Sequence, residues 1–574
     1  MTTGARVLRR AVSAESPAWS AGLHPVLARV LAARGVDSAT DLDFRLARLL
    51  PPDGLDGLDA AAALLDDAIR NDHRIVVVGD YDADGATATA VAVRGLRLLG
   101  ARDVAYRVPN RVLHGYGLTP ALVEELRELS PRLVVTVDNG VASHAGVARA
   151  RSLGMRVLVT DHHLPGDTLP DADVIVNPNL RDCGFPAKSL AGVGVMFYVL
   201  LALRAWRRAR GSWAAGEEPD LACLLDLVAL GTVADLVPLD RNNRVLVASG
   251  IRRVRAGRCC AGIAAIAAVA NRKLEALTTT DFAFALAPRI NAAGRLEDMA
   301  IGIECLLSDD PDRALALANR LHAINAERRE LQAAMQDEAE SAVARWREVD
   351  APLPPALVLH DSGWHAGVVG LVASRVKDQA HRPVIAFAPA GDGSDELRGS
   401  GRSIPGFHLR DALAAVDARE PGLVRRFGGH AMAAGLSLAH ADLERFRIAF
   451  EREASARLDA AALDHCVWSD GALAAAEASL ELAQILREAA PWGQGFPEPL
   501  FDDAFSVDSW RVVGERHLRL RLRFPCGAPI EAVQFDGWRG SPPPARVHAL
   551  YQLGIDDWRG ERRVQLLLRQ ATPA

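Results

Sequence analysis

The sequence predicts an α/β protein of several domains, the largest of which contains a doubly wound parallel sheet. Its 574 residues are more than a single hydrophobic core supports. Short β-branched runs alternate with helical stretches from about residue 74, as expected of parallel strands that are buried on both faces. The runs are Ile75–Val78, Leu133–Val137, 157–160 and Val174–Val176. Helices are expected between them, over 86–99 and 119–129, so this domain extends over about 55–245.

Three further segments follow from the same kind of pattern. Apolar residues at helical spacing between 321 and 346 predict one long amphipathic helix, which is either a rigid spacer or one side of a helical bundle. A second, smaller α/β block is expected over about 355–455. After residue 491 the apolar residues alternate with polar ones, which predicts a small β-barrel. Residues 1–50 are rich in Ala, Leu and Arg and are expected to be helical.

Composition excludes several classes of protein. Apolar residues make up 49% of the chain and charged residues 24%, so it is neither largely disordered nor collagen-like. The net charge of −6 excludes a uniformly basic nucleic-acid coat. No apolar stretch is long enough for a transmembrane helix, and the first residues lack the apolar run of a secretory signal. The seven cysteines form no CxxC pair, which argues against a zinc finger and favours a cytoplasmic protein.

The alternating segment near the carboxyl terminus carries a row of arginines. Arg519, Arg521 and Arg523 alternate with leucines, so one face of this strand is expected to be basic and the other to be buried. A row of guanidinium groups could contact the phosphates of a single strand. The alternative is an ordinary solvated face of the sheet.

The most informative segment directly follows the first predicted strand. Residues 80–85 read Asp-Tyr-Asp-Ala-Asp-Gly and place the carboxylates of Asp80, Asp82 and Asp84 within five residues. Ionised together in a partly dry crevice, these groups would repel one another, and a divalent cation would relieve that repulsion. Taken alone, the segment could also be an acidic surface turn.

Similar groups follow three other apolar segments. Asp138 begins an Asp-Asn-Gly triplet after the second strand, His162 and His163 end an Asp-His-His triplet after the third, and Asp235 follows an apolar helix. Because the carboxyl ends of parallel strands converge on one crevice, we expect these side chains to meet there. Carboxylate and imidazole donors suit Mn²⁺ or Mg²⁺, and their number is sufficient for two ions.

These four segments resemble the motifs of the DHH phosphoesterase superfamily. Further segments resemble the RecJ family of bacterial single-stranded-DNA-specific exonucleases within it, in that family's order, from about residue 50 to 570. These segments are 107–111 (RVPNR), 115–118 (GYGL), 190–195 (LAGVGV), 289–295 (RINAAGR), 363–370 (GWHAGVVG), 399–403 (GSGRS), 427–430 (FGGH) and 491–495 (PWGQG).

The resemblance implies a domain order. It consists of an N-terminal helical segment (1–54), a DHH catalytic domain (55–245), a helical region ending in a long connecting helix (246–350), a smaller α/β DHH-associated domain, DHHA1 (351–460), and a linker with a C-terminal OB-fold β-barrel (461–574). The OB-fold would bind nucleic acid.

The resemblance also implies the site residues. The metal ligands would be Asp80, Asp82, Asp84, Asp138, His162 and Asp235, with Asp138 the best candidate for a bridging ligand. His163 would complete the catalytic set, either as a ligand or by orienting one. The 5′-phosphate and the adjoining DNA would contact Arg111, Arg295, Ser400, Arg402, Gly428, Gly429 and His430.

The expected function is that of a metal-dependent 5′→3′ exonuclease. It would degrade single-stranded DNA to 5′-mononucleotides by two-metal hydrolysis, in recombination and repair, together with a helicase and a single-strand-binding protein. Two alternatives remain. Another DHH phosphohydrolase, acting on oligoribonucleotides or cyclic dinucleotides, would share the metal site but would not need the barrel. A non-catalytic strand-binding scaffold would need the barrel but not a full set of ligands.

Overall fold

The computed structural model describes residues 5–11, 18–110, 114–214, 216–348, 353–391, 393–557 and 561–574. The chain divides into two compact units, one of residues 1–8 with 326–468 and the other of residues 9–325 with 469–574. Strand β1 (Arg6–Arg9) precedes helix α1 (Pro25–Ala32). Residues 6–9 therefore depart from the helical expectation, because β1 pairs with Cys466–Ser469, a partner too distant for local periodicity to reveal.

The larger unit begins with a parallel α/β domain. Its strands and first helices are α2 (Leu58–Arg70), β2 (Ile75–Val78), α3 (Ala83–Leu98), β3 (Val104–Arg107), α4 (Pro120–Leu126), β4 (Leu133–Val137), α5 (His144–Ser152), β5 (Arg156–Thr160), β6 (Val174–Val176) and α6 (Gly192–Ala209). The strand order is β3-β2-β4-β5-β6, all parallel. The chain reverses direction across the sheet between β2 and β4, which creates a crevice at their carboxyl ends.

Both faces of this sheet are covered, as the continuous apolar runs predict. Ile75 and Val77 pack into one core together with residues of α3 and α6. Val76 and Val78 point the other way, into a second core that contains residues of α4 and α5. The doubly wound prediction is therefore confirmed. Edge strand β3 was not predicted, because its residues, Val-Ala-Tyr-Arg, contain no β-branched run.

Helices complete this part of the unit. They are α7 (Leu225–Ala234), α8 (Arg241–Arg255), α9 (Ala261–Val269), the single turn α10 (Thr279–Asp281), a π-helical turn (Phe282–Leu286), α11 (Ala287–Leu296) and α12 (Ala300–Leu307). The long helix α13 (Pro311–Glu348) begins in this unit, and its residues from 326 onward belong to the smaller unit. The long helix predicted between 321 and 346 is present within α13.

The smaller unit contains a mixed sheet flanked by helices. Its elements are β7 (Leu357–His360), α14 (Val369–Ala380), β8 (Val384–Pro389), β9 (Glu396–Arg402), α15 (Leu409–Arg419), β10 (Arg426–Gly429), β11 (Ala433–Ala439) and α16 (Leu443–Arg457). The strand order is β10-β11-β9-β8-β7, in which only β7 and β8 run parallel. A separate core of apolar residues from both layers supports this unit.

The carboxyl-terminal segment forms the predicted barrel. After β12 (Cys466–Ser469) and α17 (Leu480–Glu488), five strands close in the order β13-β14-β15-β17-β16. These strands are β13 (Phe501–Val513), β14 (His517–Arg523), β15 (Pro529–Gln534), β16 (Arg546–Asp556) and β17 (Arg563–Pro573). Among the described residues, no helix is both long and apolar enough to cross a membrane.

Candidate metal centre

The predicted acidic and imidazole residues meet at the carboxyl edge of the parallel sheet. Their ligand atoms form three overlapping groups in which all atoms lie within 4.8 Å of one another. The groups are Asp80, Asp82 and Asp138; Asp84, His162 and Asp235; and Asp138, His162 and His163. Asp138 and His162 each belong to two groups, so the three groups form one continuous cluster.

The loop after β2 is held in place by short polar contacts. Asp82 caps α3, because its Oδ1 accepts a hydrogen bond from the Gly85 amide at 2.9 Å. Gly85 itself has no room for a side chain, since a Cβ there would lie 2.6 Å from the Asp80 nitrogen. From α11, Asn291 Oδ1 accepts a hydrogen bond from the Ala83 amide at 2.8 Å. These contacts fix the spacing of the three aspartates.

Asp84 lies fully buried against the start of α6. Its two carboxylate oxygens accept hydrogen bonds from the Gly192 and Val193 amides, at 2.7 and 3.0 Å. The positive end of the helix dipole therefore faces the carboxylate. Burial, and then the charge of Asp82, nevertheless raise the pKa of Asp84 to about 7.

Asp138 occupies an unusual backbone position directly after β4. Its φ is +62°, in the left-handed region that non-glycine residues rarely adopt. The backbone of α6 approaches so closely that a Cβ on Gly192 would lie 2.5 Å from the Asp138 Cβ. Burial, followed by the charges of Asp84 and Asp82, raises the pKa of Asp138 well above its usual range. Backbone strain of this kind concentrates at functional sites.

Asp235 and His162 complete the cluster. His162 Nε2 lies 3.1 Å from Asp138 Oδ1 and 3.5 Å from Asp235 Oδ2. Both of these carboxylate oxygens are buried and accept no hydrogen bond within the described part of the chain. Burial and the charges of Asp84 and Asp82 also raise the pKa of Asp235. Buried carboxylates without donors are costly unless a cation neutralises them, so the donor set fits Mn²⁺ or Mg²⁺.

Asp161 organises the histidines, a role that was not assigned from the sequence. Its carboxylate accepts hydrogen bonds from His163 Nδ1 at 2.7 Å and from the amides of His162, His163 and Val141 at 2.8, 3.1 and 2.9 Å. Burial opposes protonation of His163, but the hydrogen bond and charge of Asp161 outweigh it and raise the pKa of His163 to about 9. The only signal in the sequence was the first residue of the Asp-His-His triplet.

The predicted phosphate-binding residues of the smaller unit lie together on its sheet. Ser400 and Arg402 are on the same face of β9, and an Arg402 guanidinium nitrogen donates to Ser400 Oγ at 3.0 Å. Gly370, in the first turn of α14, is so close that a Cβ there would lie 2.8 Å from Ser400 Oγ and 2.9 Å from Arg402 Nη2. A helix amino terminus, a hydroxyl and a guanidinium are therefore adjacent, a combination that suits a phosphate.

Gly428 and Gly429 continue this arrangement across the sheet. Gly428 pairs with Gly435 of β11, which in turn pairs with Ser400, and Gly429 pairs with Ala434. His430 follows directly, and its amide donates to the Ala433 carbonyl. In the larger unit, Arg295 is in the last turn of α11. Arg111 lies outside the described residues.

The arginines of β14 face outward, as predicted, but two of them are paired with carboxylates. Leu518, Leu520 and Leu522 are buried between them. Arg523 binds Asp508 with two nitrogens, at 3.0 and 2.6 Å, and Arg519 lies 3.6 Å from both Glu531 and Asp556. Arg511 of β13 stands directly opposite Arg519 in the register, and its position on this face was not predicted.

Comparison with known proteins places this geometry in a family. The model of the DHH family N-terminal domain matches residues 74–232, that of the DHHA1 domain matches 353–456, and that of the RecJ OB domain matches 469–570. The single-stranded-DNA-specific exonuclease RecJ of Salmonella typhimurium is 50% identical over 99% of both chains. The chain belongs to the RecJ family. RecJ of Escherichia coli is 49% identical over 99% of both chains.

Solved structures agree with this membership. The crystal structure of Thermus thermophilus RecJ in complex with Mn²⁺ has a TM-score of 0.80 and 33% sequence identity, and the match covers 99% of this chain and 79% of that one. The Mg²⁺ complex of the same protein has a TM-score of 0.75 and 31% identity, over 99% and 78% of the two chains.

Proposed function

We propose that this chain is a metal-dependent 5′→3′ exonuclease that degrades single-stranded DNA to 5′-mononucleotides. The observation that carries the proposal is the cluster of seven acidic and imidazole side chains, which four separate segments deliver to one edge of the sheet. The RecJ relatives are named as single-stranded-DNA-specific exonucleases. The barrel adds a strand-binding surface that hydrolysis of a small cyclic nucleotide would not require.

Asp80, Asp82, Asp84, Asp138, His162 and Asp235 would hold the metal ions. Asp138 is the best candidate for a shared ligand, because it belongs to two of the three groups. When bound there, Mn²⁺ or Mg²⁺ activates water and neutralises charge on the phosphodiester. The residues of the chain place these donors in fixed positions, so the site needs little rearrangement when substrate binds.

His163 would hold a proton at Nδ1, shared with Asp161, and present positive charge to the phosphodiester. The hydroxyl of Tyr116 donates to the Asp138 carbonyl and lies 3.3 Å from His163 Nδ1, so it restrains both residues. These contacts orient the ring in the manner of groups that support metal ligands in other sites.

In the DHHA1 domain, Ser400, Arg402 and the turn of Gly428, Gly429 and His430 would bind a terminal 5′-phosphate and the adjoining backbone. Arg111 and Arg295 are proposed for the same role from their motif positions. Selection of a phosphorylated 5′ end would give degradation its direction. A guanidinium and a hydroxyl supply several donors for such a dianionic group.

On the barrel, Arg519, Arg521 and Arg523, with Arg511 opposite Arg519, would contact the strand further from the cut. Arg511 adds positive charge beside Arg519, whose own charge is partly offset by Glu531 and Asp556, and this added charge would attract a phosphate backbone. We further propose that the protein is cytoplasmic and acts in recombination and repair. A helicase would supply the single strands, and a single-strand-binding protein would cover them.

The test is incubation of the purified chain with 5′- and 3′-labelled single strands, duplex DNA and RNA, in Mn²⁺, Mg²⁺ or EDTA. We expect release of labelled mononucleotide only from the 5′ end of single strands and only with metal. Asp138→Asn should abolish release while circular dichroism stays native. Asp226→Asn is the control, since Asp226 is also buried but lies outside the cluster. Equal turnover by the Asp138 variant would refute the site.

A further inference from the structure

Leu236 has a backbone conformation that does not suit leucine. Helix α7 ends at Ala234, Asp235 still has helical dihedral angles, and Leu236 then has a φ of +60°. A left-handed residue directly after a helix is usually glycine or asparagine, because a side chain crowds the backbone there. A bulky aliphatic residue at this position is therefore unfavourable for the backbone.

The side chain of Leu236 gains little from burial in return. It is 63% exposed. Leu164, two residues after His162, is 61% exposed. Neither a favourable backbone conformation nor burial of the side chain therefore explains why residue 236 is a leucine. Strained residues that contribute nothing to packing are found where function requires them.

Both leucines are close in sequence to candidate metal ligands. Leu236 directly follows Asp235, whose Oδ2 lies 3.5 Å from His162 Nε2, and Leu164 follows His162 by two residues. The two exposed side chains therefore leave the backbone next to residues of the same cluster. A nucleotide whose phosphate is held at this cluster would therefore lie near these two side chains.

We propose that Leu236, assisted by Leu164, contacts the base of the nucleotide being removed. The proposal rests on the exonuclease function proposed above. An aliphatic contact suits an enzyme that must release every nucleotide in turn, because it discriminates little between bases. Hydrogen-bonding side chains would read the edges of the bases and make removal depend on sequence.

The experiment compares Leu236→Asn with Leu236→Met on two kinds of 5′-phosphorylated single strand. One kind carries each of the four bases at the 5′ end, and the other carries a tetrahydrofuran abasic residue there. Asparagine tolerates a positive φ, so this variant should fold and melt at or above the temperature of the wild type. Methionine keeps the apolar volume.

For the wild type we expect kcat/KM for the first nucleotide to be roughly tenfold higher on the normal strands than on the abasic strand. Leu236→Asn should lose roughly this factor on all four normal strands and nothing on the abasic one, whereas Leu236→Met should stay near wild type. Leu164→Asn should show a smaller loss with the same selectivity.

Two results would overturn the proposal. One is wild-type kinetics for Leu236→Asn on normal strands, and the other is an equal loss on normal and abasic strands. A wild-type protein that degrades no strand at all would instead refute the exonuclease function itself, and this is visible before any variant is compared.

Discussion

Without metal, the carboxylate cluster should make this protein less stable as the pH rises. The pKa of Asp84 is raised to about 7, and those of Asp138 and Asp235 are also raised. A carboxyl whose folded pKa exceeds its unfolded value binds its proton more tightly in the folded state. Its stabilising contribution is therefore complete below pH 4 and is lost as the pH rises to about 7.

The magnitude follows from Asp84 alone. A rise from the usual aspartate value to about 7 corresponds to roughly 4 kcal/mol, because each pKa unit is worth about 1.4 kcal/mol. For a domain the size of the expected DHH domain (55–245), a change of about 1 kcal/mol in the free energy of unfolding shifts the melting temperature by about 2–4 °C. Because about a third of this contribution is already lost below pH 5, we expect the melting temperature in EDTA to fall by roughly 5–10 °C between pH 5 and pH 8. Mn²⁺ should reverse this fall at pH 8, because it binds the ionised carboxylates of the folded state.

The assay is a thermal melt followed by fluorescence or calorimetry, with EDTA or Mn²⁺, across this pH range. Asp84→Asn should flatten the pH dependence in EDTA and reduce the stabilisation by Mn²⁺. Asp226→Asn is the matched control: burial also raises the pKa of Asp226, but this residue is outside the cluster, so Mn²⁺ should still stabilise the variant fully. A melting temperature in EDTA that is constant or rises toward pH 8 would show that these carboxylates do not share a dry site.

Three other sets of substitutions test separate parts of the molecule. Gly192→Ala should lower kcat about a hundredfold in a folded protein, because its Cβ would lie 2.5 Å from the Asp138 Cβ and would displace Asp138. Gly194→Ala is the control: its Cβ would lie 3.2 Å from Leu190 Cδ2, so kcat should be nearly unchanged. Arg402→Ala should reduce the kinetic preference for 5′-phosphorylated over 5′-hydroxyl strands about tenfold, whereas Arg398→Ala on the same strand should not. The double variant Arg511→Ala/Arg521→Ala should bind long strands more weakly, and titrations at several salt concentrations should show a smaller salt dependence of this binding. Cleavage of very short oligomers should be unchanged.

The parallel sheet could be predicted because its central strands are buried on both faces. Burial forces a continuous apolar sequence, as in Ile75–Val78 and Leu133–Val137, and such a run is visible without any knowledge of the fold. Edge strand β3 is covered less completely and has no such run. Strand β1 pairs with β12 near the other end of the chain, and nothing local in either segment reveals the partner.

The candidate ligands could be predicted for a different reason. Aspartate and histidine are recognisable as possible metal ligands from their residue types alone, and their position after apolar segments brings them to one edge of the sheet. The residues that support them could not be found in this way. Gly192 matters because it leaves space beside Asp138, and Asn291 because its side chain reaches the Ala83 amide. Such roles depend on distances between segments far apart in the sequence, which only the folded chain defines.

Asp161 shows how these two kinds of residue are connected. As a carboxylate beside two histidines it has the chemistry of a ligand, yet its oxygens accept four hydrogen bonds from Val141, His162 and His163. It is therefore fully used in holding the imidazoles, whereas Asp138 Oδ1 and Asp235 Oδ2 accept no hydrogen bond from the described residues. The distinction between a metal ligand and the residue that orients it thus lies in how many hydrogen bonds each carboxylate already accepts. Asp161 accepts four, whereas Asp84 accepts two and keeps lone pairs that a cation can use.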